Sequence, residues 1–344
     1  MAVVPYAAGA AFLRDALVCE DHPLYDYLSN TAATDEGVSS SAPLFELSPL
    51  DHAGSVFACR DLHSSARIVC KFFSARSNLP AGEPLHLMDY EFRALTSVRS
   101  VGFEQSPFRV VRPLGKRESL GCLLAEEYIA GKDLDHFIAL AAHFGGTEEL
   151  MGKLDLLAHF FASLHGSTVR CRPHNFYRTC RDFRALVRSL STVDGIPGDE
   201  LCELRHLCDK WENRSEMWID GSSLVHGDAT PTNFIFDSPG SVTAIDFERS
   251  HIGDPTHDLG LLVAELKHHF ALRIHQAVAA EPFISRFLRC YGSHAGLGEA
   301  GFRGLTFRSR FYMAMGELRI ARNPWLPLGH RLWLICEACR CLRL

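Results

Sequence analysis

The stretch of this chain best suited to chemistry combines a histidine, two aspartates and an asparagine at fixed spacing. LVHGDATPTNFIFD at residues 224–237 places Asp228 five residues before Asn233, and IDFE follows with Asp246. NFIFD and VTAIDF are apolar runs around a Ser-Pro-Gly-Ser turn, which is typical of a β-hairpin. In a symmetric hairpin Asn233 and Asp246 lie opposite one another at the open end, and Asp228 lies in the loop that leads into it. The spacing therefore predicts two carboxylates and one amide oxygen in a small volume.

These three side chains suit a divalent cation together with a proton acceptor. Neighbouring carboxylates repel each other unless a cation neutralises them, and an asparagine oxygen beside an aspartate is a hard-oxygen pair suited to Mg²⁺. We expect Asn233 and Asp246 to hold the metal, which leaves Asp228 to orient a hydroxyl or accept its proton. Any one of these residues alone would be an ordinary turn or strand-end residue.

A lysine and a glutamate in the earlier part of the chain are predicted to pair. In ARIVCKFF, Lys71 lies on the same strand face as Val69 and Phe73. Glu91 falls on the apolar stripe of a helix predicted over roughly 85–100. Because two isolated buried charges would be costly, we expect an ion pair whose lysine also holds an anion. The alternative is a lysine that snorkels at a strand edge.

Length and periodicity predict two lobes and an α+β fold. The 344 residues are too many for one small core. Residues 1–42 are predicted to begin with a short helix (AFLRDALVCE) and to end in a linker (TAATDEGVSSSA). Residues 43–130 predict a small antiparallel sheet with one helix, and residues 131–344 a larger, mainly helical lobe with a helical insertion at 167–224.

Composition argues against several other classes of protein. No apolar run approaches the roughly 18–20 residues that span a bilayer, and no basic-aromatic pattern indicates nucleic-acid binding. The 12 scattered cysteines favour free thiols in a reducing cytosol, so we expect a cytoplasmic protein without a disulfide framework. Cys336, Cys339 and Cys341 cluster as CEACRC, but without a second pair they favour a terminal helix over a zinc site.

The motifs resemble a known family. HGDATPTN, followed by IDFE and GDPTHD, is similar to the aminoglycoside phosphotransferase and choline kinase superfamily of small-molecule kinases, whose fold is bilobal and protein-kinase-like; the resemblance covers roughly 45–270. It implies ATP- and Mg²⁺-dependent transfer of the γ-phosphoryl group to a hydroxyl of a small molecule. A sugar or an amino alcohol is favoured over an aminoglycoside as the acceptor.

The resemblance also implies a role for each matching position. Asp228 would be the catalytic base, Asn233 and Asp246 the Mg²⁺ ligands, and Lys71 the ligand of the α- and β-phosphates, held by Glu91.

Further positions support these groups or bind the nucleotide. His226 and Asp258 match positions that brace the catalytic loop, whereas Glu248 either contacts the metal region or is structural. Main-chain groups near Glu127 and Ile129 would bind adenine.

The first strand turn departs from the family pattern. LSPLDHAGSVFAC has a single glycine, so main-chain amides near Ala53, Gly54 and Ser55 would cap phosphate oxygens less closely, and GTP stays open as the donor. The same turn suggests an alternative function, a nucleotide-binding regulatory pseudokinase. A protein kinase is disfavoured because only eleven residues separate Asp246 from Asp258, too few for a peptide platform.

Charge is unevenly distributed along the chain and bears on the acceptor. The net charge is −6, but residues 301–344 carry eight arginines and two glutamates. The acidic remainder favours a cationic acceptor, whereas the arginine-rich end favours a neutral or anionic ligand such as a sugar, a sugar phosphate or a lipid headgroup. The arginines concerned are Arg303, Arg308, Arg310, Arg319 and Arg322. The alternative is that these arginines pair with the acidic body of the protein.

Overall fold

The computed structural model describes residues 17–36, 43–51, 54–76, 79–80, 82–219 and 221–343. Ala53, one of the predicted phosphate-binding positions, lies outside the described residues. The chain divides into two compact units. The N-terminal unit runs to Ala130 and also includes Thr243–Glu248, and the C-terminal unit consists of Gly131–Val242 and the chain from Arg249 onward.

An antiparallel sheet forms most of the N-terminal unit. In chain order the elements are β1 (Leu17–Val18), α1 (Tyr25–Glu36), β2 (Phe45–Pro49), β3 (Val56–Asp61), β4 (Arg67–Phe72), α2 (Glu83–Ser100), β5 (Phe108–Val110), β6 (Pro113–Arg117) and β7 (Leu123–Glu127). Six strands pair in the order β1-β2-β3-β4-β7-β6. Alternation sets the buried face: in β2, Phe45 and Leu47 are buried while the intervening residues are exposed.

The beginning of the chain differs from its prediction. Within the predicted helix AFLRDALVCE, the described residues Leu17–Val18 form a strand that pairs with β2, so the helix prediction is wrong there. The helix lies instead at Tyr25–Glu36 and takes up part of the predicted linker. Val18, Leu24 and Leu28 are fully buried in the core of the sheet. Pairing with a distant strand decides the conformation here, and a local apolar pattern does not reveal it.

The C-terminal unit is mainly helical. Its elements are β8 (Lys132–Asp133), α3 (Leu134–Phe144), α4 (Thr147–Ser167), α5 (Phe176–Leu190), α6 (Gly198–Glu212), β9 (Ser223–Val225), β10 (Phe234–Phe236), β12 (His251–Gly253), α7 (Thr256–Ile274), α8 (Glu281–His294), α9 (Glu299–Ala321) and α10 (Leu328–Leu342), while β11 (Val242–Ala244) spans the boundary of the two units. β9 pairs with β12 and β8 with β10, both antiparallel. None of the helices in the described residues is long and apolar enough to cross a membrane.

The two helices of the predicted insertion pack into a shared core with α9 and α10. Trp211 at the end of α6 is fully buried against Phe307 and Phe311 of α9. Its indole Nε1 donates to the main-chain oxygen of Leu342 at 2.8 Å. On α10, Cys339 and Cys341 are buried and Cys336 is exposed, and the described residues contain no metal-capable group with a cysteine. α5 and α6 are therefore integral to this unit.

A close helix–helix approach holds α7 against α9. A Cβ added to Gly260 of α7 would lie 2.8 Å from the main-chain nitrogen of Met313 on α9. One added to Gly316 of α9 would lie 2.7 Å from Ala264 Cβ of α7. Small residues at these positions allow the two backbones to approach closely, and α7 begins beside the loop that carries Asp228.

Gly260→Ala is therefore expected to force the two helices apart and to lower the free energy of unfolding by about 1–3 kcal/mol. The matched control is Gly152→Ala on α4, where an added Cβ has nothing within 4 Å. That change is expected to be neutral or stabilising by up to ~1 kcal/mol, because alanine favours the helix. Urea denaturation measures both changes, and equal effects would show that close packing at Gly260 is unimportant.

Candidate active site

Lys71 lies at the centre of a buried group of carboxylates in the N-terminal unit. Its Nζ is 2.6 Å from Glu91 Oε1, 3.2 Å from Glu126 Oε1 and 3.6 Å from Asp246 Oδ1. The side chains of Lys71 and Glu91 are 7% and 0% exposed. The ion pair expected between Lys71 and Glu91 is thus present, and the alternative of a lysine snorkelling at a strand edge is wrong.

Strand register explains how these groups meet. Lys71 pairs with Val56 of β3 on one side and with Leu124 of β7 on the other, so it lies on a central strand. Glu126 is two residues beyond Leu124 and therefore shares its face of the sheet. Glu91 faces inward from α2 together with Met88 and Leu95. Sequence reasoning missed Glu126, although its phase with the buried Leu124 was the signal that could have identified it.

The carboxylates keep the lysine charged. Burial lowers the pKa of Lys71, but the charges of Glu126, Glu91 and Asp246 together raise it well above its ordinary value. Burial raises the pKa of Glu91, the attraction of Lys71 lowers it, and the charges of Glu126 and Asp246 add repulsion. Three buried carboxyl groups around one ammonium leave an excess of acid that a second cation would relieve.

Part of this group has the composition of a magnesium site. Asp246, Glu248 and Glu91 each place one carboxylate oxygen within 4.8 Å of the others. Such hard-oxygen sets suit Mg²⁺, so the residues fit the metal that the resemblance implies. Asp246 has a φ of 64°, a left-handed conformation that is rare outside glycine and is concentrated at functional sites. Glu248, whose role the sequence left open, belongs to this set and also forms an ion pair with Arg76.

In the β2–β3 turn, the carboxylate of Asp51 accepts hydrogen bonds from the groups predicted to bind phosphate. The main-chain N–H of Ser55 donates to Asp51 Oδ1 at 2.9 Å, and its hydroxyl donates to Asp51 Oδ2 at 2.6 Å. The N–H of Val56 donates to the same carboxylate at 3.1 Å. Gly54 has a φ of +69°, as the turn requires. Ser55 could therefore cap a phosphate oxygen, as the sequence predicts, only after displacing Asp51.

The segment predicted to contact adenine begins at the end of strand β7 of the same sheet. Glu127 ends β7, and its N–H donates to the main-chain oxygen of Arg112 at 3.0 Å. Its carboxylate accepts from Arg109 Nη2 at 2.9 Å and from the N–H of Arg112 at 2.7 Å. Ile129 follows the strand and is half-buried. Adenine recognition by main-chain groups near Glu127 and Ile129 stays a prediction.

In the C-terminal unit a buried aspartate braces the loop that carries Asp228. Asp258, in the first turn of α7, accepts hydrogen bonds from the N–H groups of His226 at 2.7 Å and Gly227 at 2.9 Å. His165 Nε2 lies 3.1 Å from Asp258 Oδ2. Burial alone would raise the pKa of Asp258, but hydrogen bonds and charge from His165 and His257 bring it well below its ordinary range. The acid therefore stays ionised and holds two consecutive amides of the loop.

Gly227 and His226 complete the turn before Asp228. Gly227 has a φ of +79°, and a Cβ there would lie 2.7 Å from the carbonyl carbon of Arg249, so only glycine fits. His226 is fully buried, and its Nδ1 accepts from the N–H of Asp228 at 3.3 Å. Both residues thus fix the direction in which the Asp228 side chain leaves the loop.

Asn233 is positioned from the same loop. Its Nδ2 donates to the main-chain oxygen of Asp228 at 2.9 Å. Its Oδ1 accepts no hydrogen bond within the part of the chain that the structure describes, so this oxygen is available to a metal. Asn233 belongs to the C-terminal unit and Asp246 to the N-terminal unit. Their joint binding of a metal stays a prediction.

The arginines of the C-terminal region divide into two sets. Arg303 pairs with Glu299, Arg308 with Asp254 at 2.9 Å, and Arg310 donates to the main-chain oxygen of Cys341. Arg303 and Arg308 thus pair with acidic residues, as the alternative expects, whereas Arg310 binds main-chain oxygens; none of the three indicates a ligand. Arg319 instead contacts the carboxylate of Asp228. Arg249, which sequence reasoning missed, lies 3.5 Å from the same carboxylate.

A second group on α7 could hold a metal ion. Ligand atoms of Glu265, His268 and His269 lie within 4.8 Å of one another. However, His268 Nδ1 is 2.8 Å from His330 Nε2, and His269 Nδ1 is 3.1 Å from Asp135 Oδ1. Because these ring nitrogens already have partners, we assign no metal to this group.

Comparison with known proteins places these features in one family. The model of the phosphotransferase enzyme family, APH, matches residues 51–297. The chain belongs to this family and is a small-molecule phosphotransferase. No curated protein gives a significant match.

Solved structures show the same fold at low sequence identity. The aminoglycoside phosphotransferase APH(2″)-IIa, in a ternary complex with streptomycin and ATP, is 13% identical with a TM-score of 0.56, covering 94% of this chain and 97% of that one. An ethanolamine kinase from Plasmodium vivax is 13% identical with a TM-score of 0.53, covering 87% and 82%. The choline kinase LicA from Streptococcus pneumoniae is 16% identical with a TM-score of 0.52, covering 85% and 90%. The predicted α+β, protein-kinase-like fold is confirmed.

The brace at Asp258 gives a direct prediction. Asp258→Asn should loosen the loop, because a neutral amide holds the two N–H groups less strongly and its own NH₂ has no acceptor among them. A shift of about 1 Å in a catalytic group costs about 100-fold in rate, so acceptor-independent ATP hydrolysis should fall by that order. Binding of Mg-ADP, measured by calorimetry, should change little. Asp182→Asn, an exposed aspartate on α5, is the control; equal hydrolysis by the two variants would contradict the bracing role.

Proposed function

We propose that this protein is an ATP- and Mg²⁺-dependent O-phosphotransferase that moves the γ-phosphoryl group to a hydroxyl of a small molecule, with GTP as the alternative donor. The observation that carries the proposal is the buried ammonium of Lys71, held by Glu91 and Glu126 and lying 3.6 Å from Asp246. A lysine that stays charged although it is buried is suited to binding a polyanion such as a triphosphate.

Each group would have a distinct task in the transfer. Lys71 would bind the α- and β-phosphates, and Glu91 would orient it. Asn233 Oδ1 and Asp246, with Glu248 beside Asp246, would hold Mg²⁺. Bound Mg²⁺ would neutralise charge on the phosphate oxygens and so lower the barrier to transfer.

Asp228 would act on the acceptor. Its carboxylate would accept a hydrogen bond from the acceptor hydroxyl, align the oxygen with the γ-phosphorus and take the proton as the new P–O bond forms. The bond from the γ-phosphorus to the bridging oxygen breaks, and the nucleoside diphosphate leaves. Asp258 and Gly227 would keep Asp228 in place, because positioning supplies most of the catalysis in phosphoryl transfer.

The structural neighbours support a small hydroxyl-bearing acceptor. They include a complex with streptomycin and ATP, an ethanolamine kinase and a choline kinase. Streptomycin, ethanolamine and choline are all small molecules with hydroxyl groups. We also infer a cytoplasmic location, which the free state of all the cysteines supports.

Asp228→Asn and Asp246→Asn separate the proposed roles. Asp228→Asn should reduce nucleotide turnover by about 10²–10⁴-fold, the usual contribution of a general base, and leave Mg-ATP binding within a few-fold. Asp246→Asn should weaken Mg²⁺-dependent binding as well as turnover, because it removes a charged oxygen ligand. Turnover is followed by nucleoside diphosphate release, and binding by calorimetry with and without Mg²⁺.

The same measurements distinguish a pseudokinase from an enzyme. An inactive nucleotide-binding module would bind Mg-ATP but show no turnover that either substitution removes. If Asp228→Asn abolished binding together with turnover, the assignment of Asp228 to the acceptor would be wrong.

A further inference from the structure

Guanidinium groups surround the proposed catalytic base. Arg319 of α9 contacts Asp228 Oδ1 through Nη2, and its Nη1 donates to the main-chain oxygen of Gly227 at 3.4 Å. Arg249 Nε lies 3.5 Å from Asp228 Oδ2. Both carboxylate oxygens of Asp228 therefore face a positive charge.

A third arginine lies beside these two. Arg322 caps the C-terminus of α9, three residues after Arg319, so the two side chains leave the same side of the helix. Burial and the positive charges of Arg319 and Arg249 lower the pKa of Arg322, in keeping with this proximity. The main-chain N–H of Arg322 donates to Ile320, but its guanidinium group forms no ion pair or hydrogen bond within the described ranges. We refer to Arg249, Arg319 and Arg322 as the arginine cluster.

Two further carboxyl groups of this unit, Glu265 and Asp135, add little negative charge to the arginine cluster. Burial raises the pKa of Glu265 to about 8, with further repulsion from Asp228 and Asp135 and a partial offset from Arg319. Glu265 is therefore mainly neutral at pH 7. Both oxygens of Asp135 accept from Arg273 Nη2 at 2.8 Å, so this carboxylate is already paired. Neither group therefore offsets the positive charges of Arg319 and Arg322.

We propose that the arginine cluster binds an anionic group of the acceptor, so that the substrate is a hydroxy compound that also carries a phosphate or a carboxylate. This inference rests on the proposed function, since it takes Asp228 as the group that binds the acceptor hydroxyl. It goes further by assigning a chemical class to the acceptor and the recognising residues to Arg249, Arg319 and Arg322.

The acceptor should carry an anionic group because Arg319 has to be displaced from Asp228 when the acceptor binds. The acceptor hydroxyl must take a place on Asp228 that Arg319 now occupies. The side chain of Arg319 is only 21% exposed, so the displaced guanidinium cannot simply return to water and needs another anion. An acceptor-borne phosphate or carboxylate supplies that anion at the same moment, and the planar guanidinium fork matches its oxygens. An acceptor with an ammonium group would instead meet like charges.

The experiment compares matched acceptors. The full-length protein with Mg-ATP is assayed on ribose and ribose 5-phosphate, on glycerol, glycerol 3-phosphate and glycerate, and on ethanolamine and an aminoglycoside. We expect kcat/KM for the phosphate- or carboxylate-bearing members to exceed that of the neutral members by about 10–100-fold, the usual value of a charge-assisted hydrogen bond. Preference for the amines would overturn the inference and leave the proposed phosphotransferase intact.

Arg322 provides the decisive variant, because its side chain has no hydrogen bond or ion pair within the described residues to lose. Arg322→Gln should raise KM for the anionic acceptor about tenfold or more with little change in kcat, and Arg322→Lys should recover part of the loss. Arg286→Gln, an exposed arginine on α8 that pairs with Asp155, is the control. If Arg322→Gln lowered kcat equally for every acceptor and left KM unchanged, the cluster would serve the transferring phosphoryl group, and the inference would be wrong.

A binding measurement separates failure of this inference from failure of the proposed function. If no acceptor is phosphorylated, calorimetry with Mg-ADP present compares ribose 5-phosphate, glycerol 3-phosphate and glycerate with their neutral counterparts. Binding of an anionic member that Arg322→Gln weakens supports the arginine cluster as its site even without transfer. Absence of any preference for the anionic members overturns it.

Discussion

The buried ammonium of Lys71 is the interaction on which the N-terminal unit depends. Three carboxyl groups, from β7, α2 and the segment that carries Asp246, lie within 3.6 Å of its Nζ. A charge at this depth would be costly alone, and the acids in turn need the lysine, so the sheet, α2 and Asp246 are held in one arrangement. The carboxylates outnumber the ammonium group, so this arrangement suits a metal ion beside the carboxylates and a polyphosphate beside Lys71.

The C-terminal unit also contains a buried charge that its neighbours stabilise, in this case an anion. Asp258 is fully buried and ionised because two loop amides and His165 stabilise its charge. Since both amides precede Asp228 directly, the position of the base is coupled to the start of α7, and the close packing of α7 on α9 extends that coupling to Arg319. The start of α7 and its packing on α9 therefore help to position both Asp228 and Arg319.

Sequence reasoning recovered what periodicity and local spacing encode. Lys71 and Glu91 could be paired because a charged residue in phase with apolar neighbours needs a buried partner. The short spacing between Asp228 and Asn233 also brings these two residues into contact in the loop. Glu126 was missed because only the register of β4 with β7 brings it to Lys71. Arg249 was missed because the chain has to return past Asp228 before the two side chains meet. The helix expected at residues 11–20 failed at Leu17–Val18, since pairing with β2 outweighs a local pattern. Distant contacts, invisible in one sequence, account for most of the differences.

Calorimetric titration of Mg-ATP into the wild-type protein and into Lys71→Met tests the central claim most directly, with the exposed Lys210→Met as the control. If Lys71 binds the phosphates of the donor, its replacement should weaken nucleotide binding by about 10–100-fold, the loss expected for a charge-assisted contact, while Lys210→Met should bind as the wild type does. Equal affinity of all three proteins would contradict the account, because the buried ammonium would then stabilise the fold alone.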